Sequence, residues 1–199
     1  MRQSFPPEPC VSPLFGMQHK YLTRAIVLGR YPVKEAGSTV VLLTQDLGLV
    51  RARAEGLRRS GAKLAHALQT LSEVDATLLR GKEGWRLSGA MLIEPWFSTL
   101  TPSARTRAGK RASLILRLVQ GEATDVPLYD AYRAFIEALG TEDEAGQDSA
   151  ELLATLTILS LLGHDAGEVP DIEAVRALTK EERRALIMRI NRSLESTGL

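Results

Sequence analysis

The spacing of apolar side chains changes once along this 199-residue chain, near Pro95. Ahead of it the repeat is two, the period of strands. Tyr21-Leu22-Thr23-Arg24-Ala25-Ile26-Val27-Leu28 is rich in strand-forming residues, and after a Glu-Ala-Gly turn so is Ser38-Thr39-Val40-Val41-Leu42-Leu43-Thr44. Gln45-Asp46-Leu47-Gly48 is a tight connection, with Gly48 suited to a positive φ. In Leu49–Glu55 the residues alternate: Val50, Ala52 and Ala54 share one face, and Arg51, Arg53 and Glu55 the other. Ser72–Leu79 and Trp85–Glu94 supply two further strands. Five short strands separated by turn signals predict a small closed sheet of the OB-barrel kind, with residues 60–71 as the insertion between the third and fourth strands.

Beyond Pro95 the repeat becomes helical. Thr101-Pro102 predicts a helix start with proline at the first position, followed by Leu114, Ile115 and Leu118 at helical spacing. Leu128, Tyr132, Phe135, Ile136 and Leu139 mark a second helix, predicted to end at Gly140. Asp148 or Ser149 is expected to cap a third, which carries the apolar run Leu152–Leu162, and Thr179-Lys180-Glu181-Glu182 is a capping box for the last. Glu142-Asp143-Glu144 reads as a solvated loop. The expected architecture is α+β: an extension over residues 1–17, a five-stranded OB-fold β-barrel over 18–95 and an all-helical domain over 96–199.

Composition narrows the chemistry. A single cysteine, Cys10, excludes an internal disulfide and any zinc site with two thiolates. The run Leu152–Leu162 is shorter than the roughly 20 residues a bilayer span needs. The proline-rich start has no continuous apolar segment of a secretory signal and reads as a flexible extension of a cytoplasmic, nucleoid-associated protein; Met17 is an alternative start. The formal charge of +1 conceals a division. Residues 1–111 carry seventeen Lys and Arg against eight Asp and Glu, a net +9; the remainder carries eight against sixteen, a net −8. A basic half points to a polyanionic partner.

The cations concentrate in VRARAEGLRRSGAKL, residues 50–64. Arg51 and Arg53 on the outer face of one strand stand about 7 Å apart. Arg24 and Arg86 on other strands are expected to extend that face, and Arg58, Arg59 and Lys63 to follow on a small-residue loop. Any single arginine reads best as a solvated surface residue; five like charges with one acid read better as a polyanion site. Engagement of about four to six phosphates gives a log–log salt slope of about −3 to −5. No side chain stands out for reading bases, so binding without sequence specificity is expected.

Catalytic arrangements are weak by comparison. His19, His66 and His164 fall in different elements, and no nucleophile elbow surrounds Ser60. Gly81-Lys82 lacks the other residues of a phosphate-binding loop. No catalytic residue, metal or cofactor is assigned.

Ala25-Ile26-Val27-Leu28-Gly29-Arg30, Glu35 and Thr39–Leu49 together resemble the opening of the RecO DNA-repair family. Ala54–Leu64, Leu68-Gln69-Thr70 and Leu79-Arg80-Gly81 extend the resemblance, which is specific over residues 20–95. It implies an OB fold followed by a helical domain. It also implies a non-enzymatic recombination mediator that binds single- and double-stranded DNA and anneals complementary strands. The implied partners are RecR and the single-stranded-DNA-binding protein. Many members carry a four-cysteine zinc motif in the helical domain; residues 163–170 hold no cysteine here, so the helical half is expected to rely on apolar packing alone. A groove in that half is expected to take the acidic, apolar tail of the single-stranded-DNA-binding protein. Arg105, Arg107, Lys110, Arg111 and Arg117 are its candidate cations, or further DNA contacts. The alternatives are an RNA-binding OB-fold chaperone and a protein-interaction adaptor.

Overall fold

The computed structural model describes residues 19–33, 37–54, 63–119, 121 and 127–198, with the side chains of 63 and 64 excepted. Five strands, β1 (His19–Pro32), β2 (Ser38–Thr44), β3 (Gly48–Ala54), β4 (Ser72–Gly81) and β5 (Gly84–Pro95), close a barrel in the order β1-β2-β3-β5-β4. All pairings are antiparallel except β3 with β5. This is the OB arrangement. Closure depends on β1, whose first half pairs with β4 and whose second half pairs with β2, with a bulge between Val27 and Gly29. A bulge bends and twists a strand, which lets one strand serve two neighbours on a tight barrel. Gly48 takes φ 65° at the β2–β3 turn, as its place in the sequence predicts. The Thr44 hydroxyl donates to the Gly48 carbonyl at 2.8 Å and accepts from the Leu47 amide at 2.9 Å, which locks that turn.

Helix α1 (Lys63–Ala67) fills the insertion between β3 and β4. Its exit places Leu71, a non-glycine residue, at φ 64°; the Leu71 amide donates to the Val27 carbonyl at 2.8 Å, and its side chain is buried. Among the described residues six helices follow: α2 (Trp96–Thr99), α3 (Pro102–Leu118), α4 (Leu128–Thr141), α5 (Glu144–Leu161), α6 (Ile172–Ala177) and α7 (Lys180–Ser196). Thr101 caps α3 as expected, and the Thr179–Glu182 capping box of α7 is complete.

Two helix boundaries differ from expectation. Helix α4 continues through Gly140 to Thr141. Helix α5 begins at Glu144 rather than near Asp148, because Asp143 is the cap and accepts from the Gly146 amide at 2.8 Å. Glu142-Asp143-Glu144 is therefore a helix junction, with Glu142 paired to Arg176 on α6 at 2.6 Å, and not a solvated loop. Gly140 looks like a helix end in the sequence. In the fold a Cβ at Gly146 would crowd the Glu142 and Asp143 side chains, so the bare backbone serves the close junction.

The barrel has two kinds of wall. Ala25, Val27, Val40, Leu42, Val50 and Leu78 point inward and fill its interior. On the outer face, Ile26, Leu28, Val41, Leu43 and Leu49 are equally buried, because they join Trp96 and helices α3, α4 and α5 in a second core. The continuous apolar run in β2 is the signature of a strand covered on both faces. Strand β3 alternates beyond Val50, so its outer face turns to solvent. Among the described residues, helices α3 and α4 thus pack on the outer face of β1 and β2, while Arg51 and Arg53 of β3 and Arg86 of β5 are exposed. A buried staple fixes the arrangement. Glu73 of β4 has no exposed surface and accepts from the Tyr129 hydroxyl and from Arg133 Nε of α4, the latter at 3.1 Å.

Candidate nucleic-acid interface

Strand parity aims the candidate cations. Arg51 and Arg53 are exposed on the outer face of β3, while Val50, Ala52 and Ala54 point inward. The parallel pairing of β3 with β5 sets Arg53 in register with Arg86, which is also exposed. Arg86 in turn pairs with Leu79 of β4, and Leu79 with Lys20 of β1. Lys20, Arg86 and Arg53 therefore stand in one row across the barrel. Neighbouring strands are about 4.8 Å apart, which puts Arg86 about 5 Å from Arg53 and about 10 Å from Lys20 at the backbone. Arg51 lies about 7 Å further along β3. Lys20, Arg51 and Arg86 form no ion pair among the described residues. Arg53 meets Glu83 of the β4–β5 turn at 2.9 Å, in a pair whose members are 67% and 84% exposed. An exposed pair of this kind is worth about 0–1 kcal/mol, so a phosphate competes with it readily.

The other candidates separate from this row. Arg24 faces outward but pairs across strands with Asp75 at 3.7 Å, several residues further along the barrel than Arg86. It does not extend the cationic face. Arg58 and Arg59 lie outside the described residues; Lys63 begins α1, and its side chain is likewise not described.

On α3 the five cations divide. Arg107 reaches Asp148 at 2.6 Å and also Glu151, both on α5. Arg111 donates to Thr155 and lies 3.4 Å from Glu151. Burial disfavours the Arg107 charge, but hydrogen bonds to Asp148 and Glu151 outweigh that and raise its pKa; for Arg111 burial prevails over the Glu151 charge and lowers it. Arg105 lies over the Phe97 ring at 4.9 Å from its centroid. Of the five, Lys110 and Arg117 are exposed and the other three are partly buried.

An apolar groove does exist in the helical half, about 500 Å³, walled by α4, α5 and α6 through Phe135, Ala138, Leu153 and Ala154. Its bordering cation is Arg176, not a residue of α3. The region without cysteines is held by charge as well as by apolar contact. Arg189 of α7 donates from Nε to Asp165 at 3.0 Å, and the Ser193 hydroxyl donates to the same carboxylate at 3.1 Å. The hydrogen bond from Arg189 holds the Asp165 carboxyl below the usual range. A Cβ at Gly167 would overlap the Arg189 guanidinium, so any larger residue there would push Arg189 from its place beside Asp165. The expectation of apolar packing alone is thus corrected.

Sequence reading passed over Lys20, Arg80, Trp85 and Tyr21. Lys20 shares parity with Arg24 and would have been found had the strand been begun at His19. Arg80 and Trp85 face each other because Lys82-Glu83 is a two-residue turn between Gly81 and Gly84, the latter at φ 105°. That turn was legible as Gly-Lys-Glu-Gly.

Comparison with known proteins agrees with this geometry. Residues 17–96 match the family model described as Recombination protein O N terminal. Proteins named DNA repair protein RecO, from Dehalococcoides mccartyi strains BAV1 and CBDB1, are each 31% identical over 80 residues. The match covers 40% of this chain and 32% of each relative, about a third of their length. The five strands of the barrel fall within the segment, residues 17–96, that is similar to the Recombination protein O N-terminal model.

Proposed function

We propose that this protein is a mediator of DNA repair and recombination, binding single- and double-stranded DNA through the cationic β3–β5 wall of its barrel. The observation that carries this reading is the registered row Lys20–Arg86–Arg53, with Arg51 beside it, on a segment similar to the Recombination protein O N-terminal model. Each cation sits on a hydrogen-bonded strand, so its backbone is already ordered before binding. The row offers charge and no base-edge reader, so it follows the phosphate backbone without regard to sequence.

Annealing follows from the same electrostatics. Two strands repel through their phosphates; a cationic wall holding one of them lowers that repulsion while the bases remain free to test their pairing. The chemistry is non-covalent throughout. In the full reading the protein brings recombinase to single strands covered by the single-stranded-DNA-binding protein and works with RecR. The α4–α5–α6 groove, with Arg176 at its border, is the proposed seat for the acidic tail of that coating protein, in place of the α3 cations.

The test is a strand-annealing assay with complementary oligonucleotides, run with and without the coating protein. The reading predicts faster annealing in both conditions, and a loss of the effect when Lys20, Arg51, Arg53 and Arg86 are replaced together by alanine in a protein that still folds. Annealing at the spontaneous rate would reject it. A competition in which RNA displaces DNA at equal concentration would favour the RNA-chaperone alternative.

A further inference from the structure

Strand parity places an apolar shelf on the outer side of the barrel, next to the cationic row. Across β1, β4 and β5 that row runs Lys20, Leu79, Arg86. The next outward position on the three strands, about 7 Å further from the β4–β5 turn, holds Leu22, Thr77 and Gly89 in register. The position after that holds Arg24, Asp75 and Met91. The intervening Ala76, Leu78 and Ala90 belong to the barrel interior, so the registered set shares the outer side. Leu22 is 73% exposed and Met91 65%, the two most exposed large apolar side chains among the described residues. They stand on the two strands that flank β4. Between them Thr77 is half-buried and Gly89 has no side chain, so the surface there is low. The one acid of the set, Asp75, is paired with Arg24 at 3.7 Å. The shelf is therefore close to neutral, with free cations along one edge only.

We infer that the shelf of Leu22, Thr77, Gly89 and Met91 receives unpaired bases of a single strand whose phosphates are held by Lys20 and Arg86. This rests on the proposed DNA-binding reading and deepens it by adding a base-dependent contact to a row that alone follows only the backbone. The separation of charge across the face selects the occupant. An anionic chain lies along the cationic edge, and whatever projects from it over the shelf must be uncharged and apolar on its faces. The bases of a single strand meet both conditions. In a duplex those faces are already stacked, so only phosphates reach the row. Aliphatic side chains hold a base by removing apolar surface from water and by dispersion, which are non-directional, so the shelf does not choose among bases. One exposed leucine is ordinary. Two highly exposed apolar side chains flanking one strand, beside unpaired cations, make a surface suited to a ligand.

The full chain should be titrated with labelled oligo-dT, with an abasic phosphodiester strand of equal length and with a duplex, following anisotropy. The parent is expected to bind oligo-dT about tenfold more tightly than the abasic strand. Leu22→Ser combined with Met91→Ser removes the shelf, keeps every charge and touches only exposed side chains. It should bring oligo-dT down to the abasic level and leave abasic and duplex affinity within about twofold, since the phosphate contacts are untouched. Leu22→Trp lays an aromatic ring on the shelf and should strengthen oligo-dT binding by about fivefold or more without strengthening the abasic strand. Equal affinity of the parent for oligo-dT and the abasic strand would overturn the inference while leaving backbone binding intact. So would an undiminished oligo-dT preference in the double variant, which would leave Leu22 and Met91 to a protein partner, or a parallel loss on all three ligands. Failure of the parent protein to bind any of them overturns both readings.

Discussion

Two sets of basic side chains in this protein have the same chemistry and opposite fates. Lys20, Arg51, Arg53 and Arg86 stand on the outer wall of the barrel, exposed, with one weak ion pair among them. Arg107, Arg111, Arg133 and Arg189 are turned into the molecule and matched with Glu151, Glu73, Asp148 and Asp165. Arg51, Arg53 and Arg86 of the first set lie on β3 and β5, and Lys20 lies near the start of β1, ahead of the Ile26–Leu28 stretch that the helices cover. The second lies on helices that pack against acidic helices or against β4. The difference teaches that cation density along a sequence does not measure surface potential; what counts is whether the fold brings a carboxylate to each cation. Acidic side chains of the rear half answer Arg107 and Arg111 of the front half and Arg176 and Arg189 of their own, while the strand-borne set has only the exposed Arg53–Glu83 pair among the described residues.

If that division is right, the two sets respond differently to mutation. The largest effect on stability should come from Arg133→Met, which leaves the fully buried Glu73 carboxylate with Tyr129 as its one remaining donor among the described residues. Stranding a buried charge costs about 3 kcal/mol, or roughly 6–12 °C in Tm for a chain of this size. Calorimetry checks this, and the salt slope of DNA binding should stay as in the parent. A smaller effect belongs to Asp165. Its folded-state pKa lies below its unfolded value, so the Arg189 pair contributes fully above about pH 4 and is lost as the pH falls through the folded-state pKa. Asp165→Asn should flatten the acid limb of a Tm-against-pH profile while leaving the neutral-to-basic limb parallel to the parent's.

On the exposed set, Glu83→Gln frees Arg53 from its surface partner and removes a negative charge from the row. Single-strand affinity should rise by up to about fivefold, the equivalent of the pair's roughly 1 kcal/mol upper value. Weaker affinity in that variant would place Glu83 among the groups that support binding. The smallest effect is expected for Arg24→Ala. Its half-exposed pair with Asp75 is worth under about 1 kcal/mol, and its position off the row predicts no change in the salt slope.

Much of this was readable from the chain, for identifiable reasons. Strand alternation in Val50–Ala54 told which face of β3 carries the arginines; the unbroken Val40-Val41-Leu42-Leu43 run gave a strand, and its cover on both faces emerges only with the helices in place. Gly48 and the Thr179–Glu182 box are local signals that need no tertiary context. What could not be read was pairing between distant elements. Arg107 meets Asp148 only because α3 and α5 lie together, and nothing in the local sequence of α3 distinguishes Arg107 from Lys110. The Lys20–Arg86–Arg53 row likewise depends on the register of three strand pairs, including the parallel one that closes the barrel. The boundary at Gly140 misled because the helix tolerates the glycine and runs on to Thr141, and the start of α5 misled because Asp143, not Asp148 or Ser149, supplies the cap.

The central claim is that the cationic β3–β5 wall is the DNA-binding surface, and the salt dependence of oligo-dT affinity tests it most directly. With four cations engaged, the log–log slope for single strands should be about −3, and it should fall by about 0.7 for each of Lys20, Arg51, Arg53 and Arg86 replaced by alanine. A slope of that size that persists in the quadruple variant would contradict the account and move the binding surface elsewhere on the molecule.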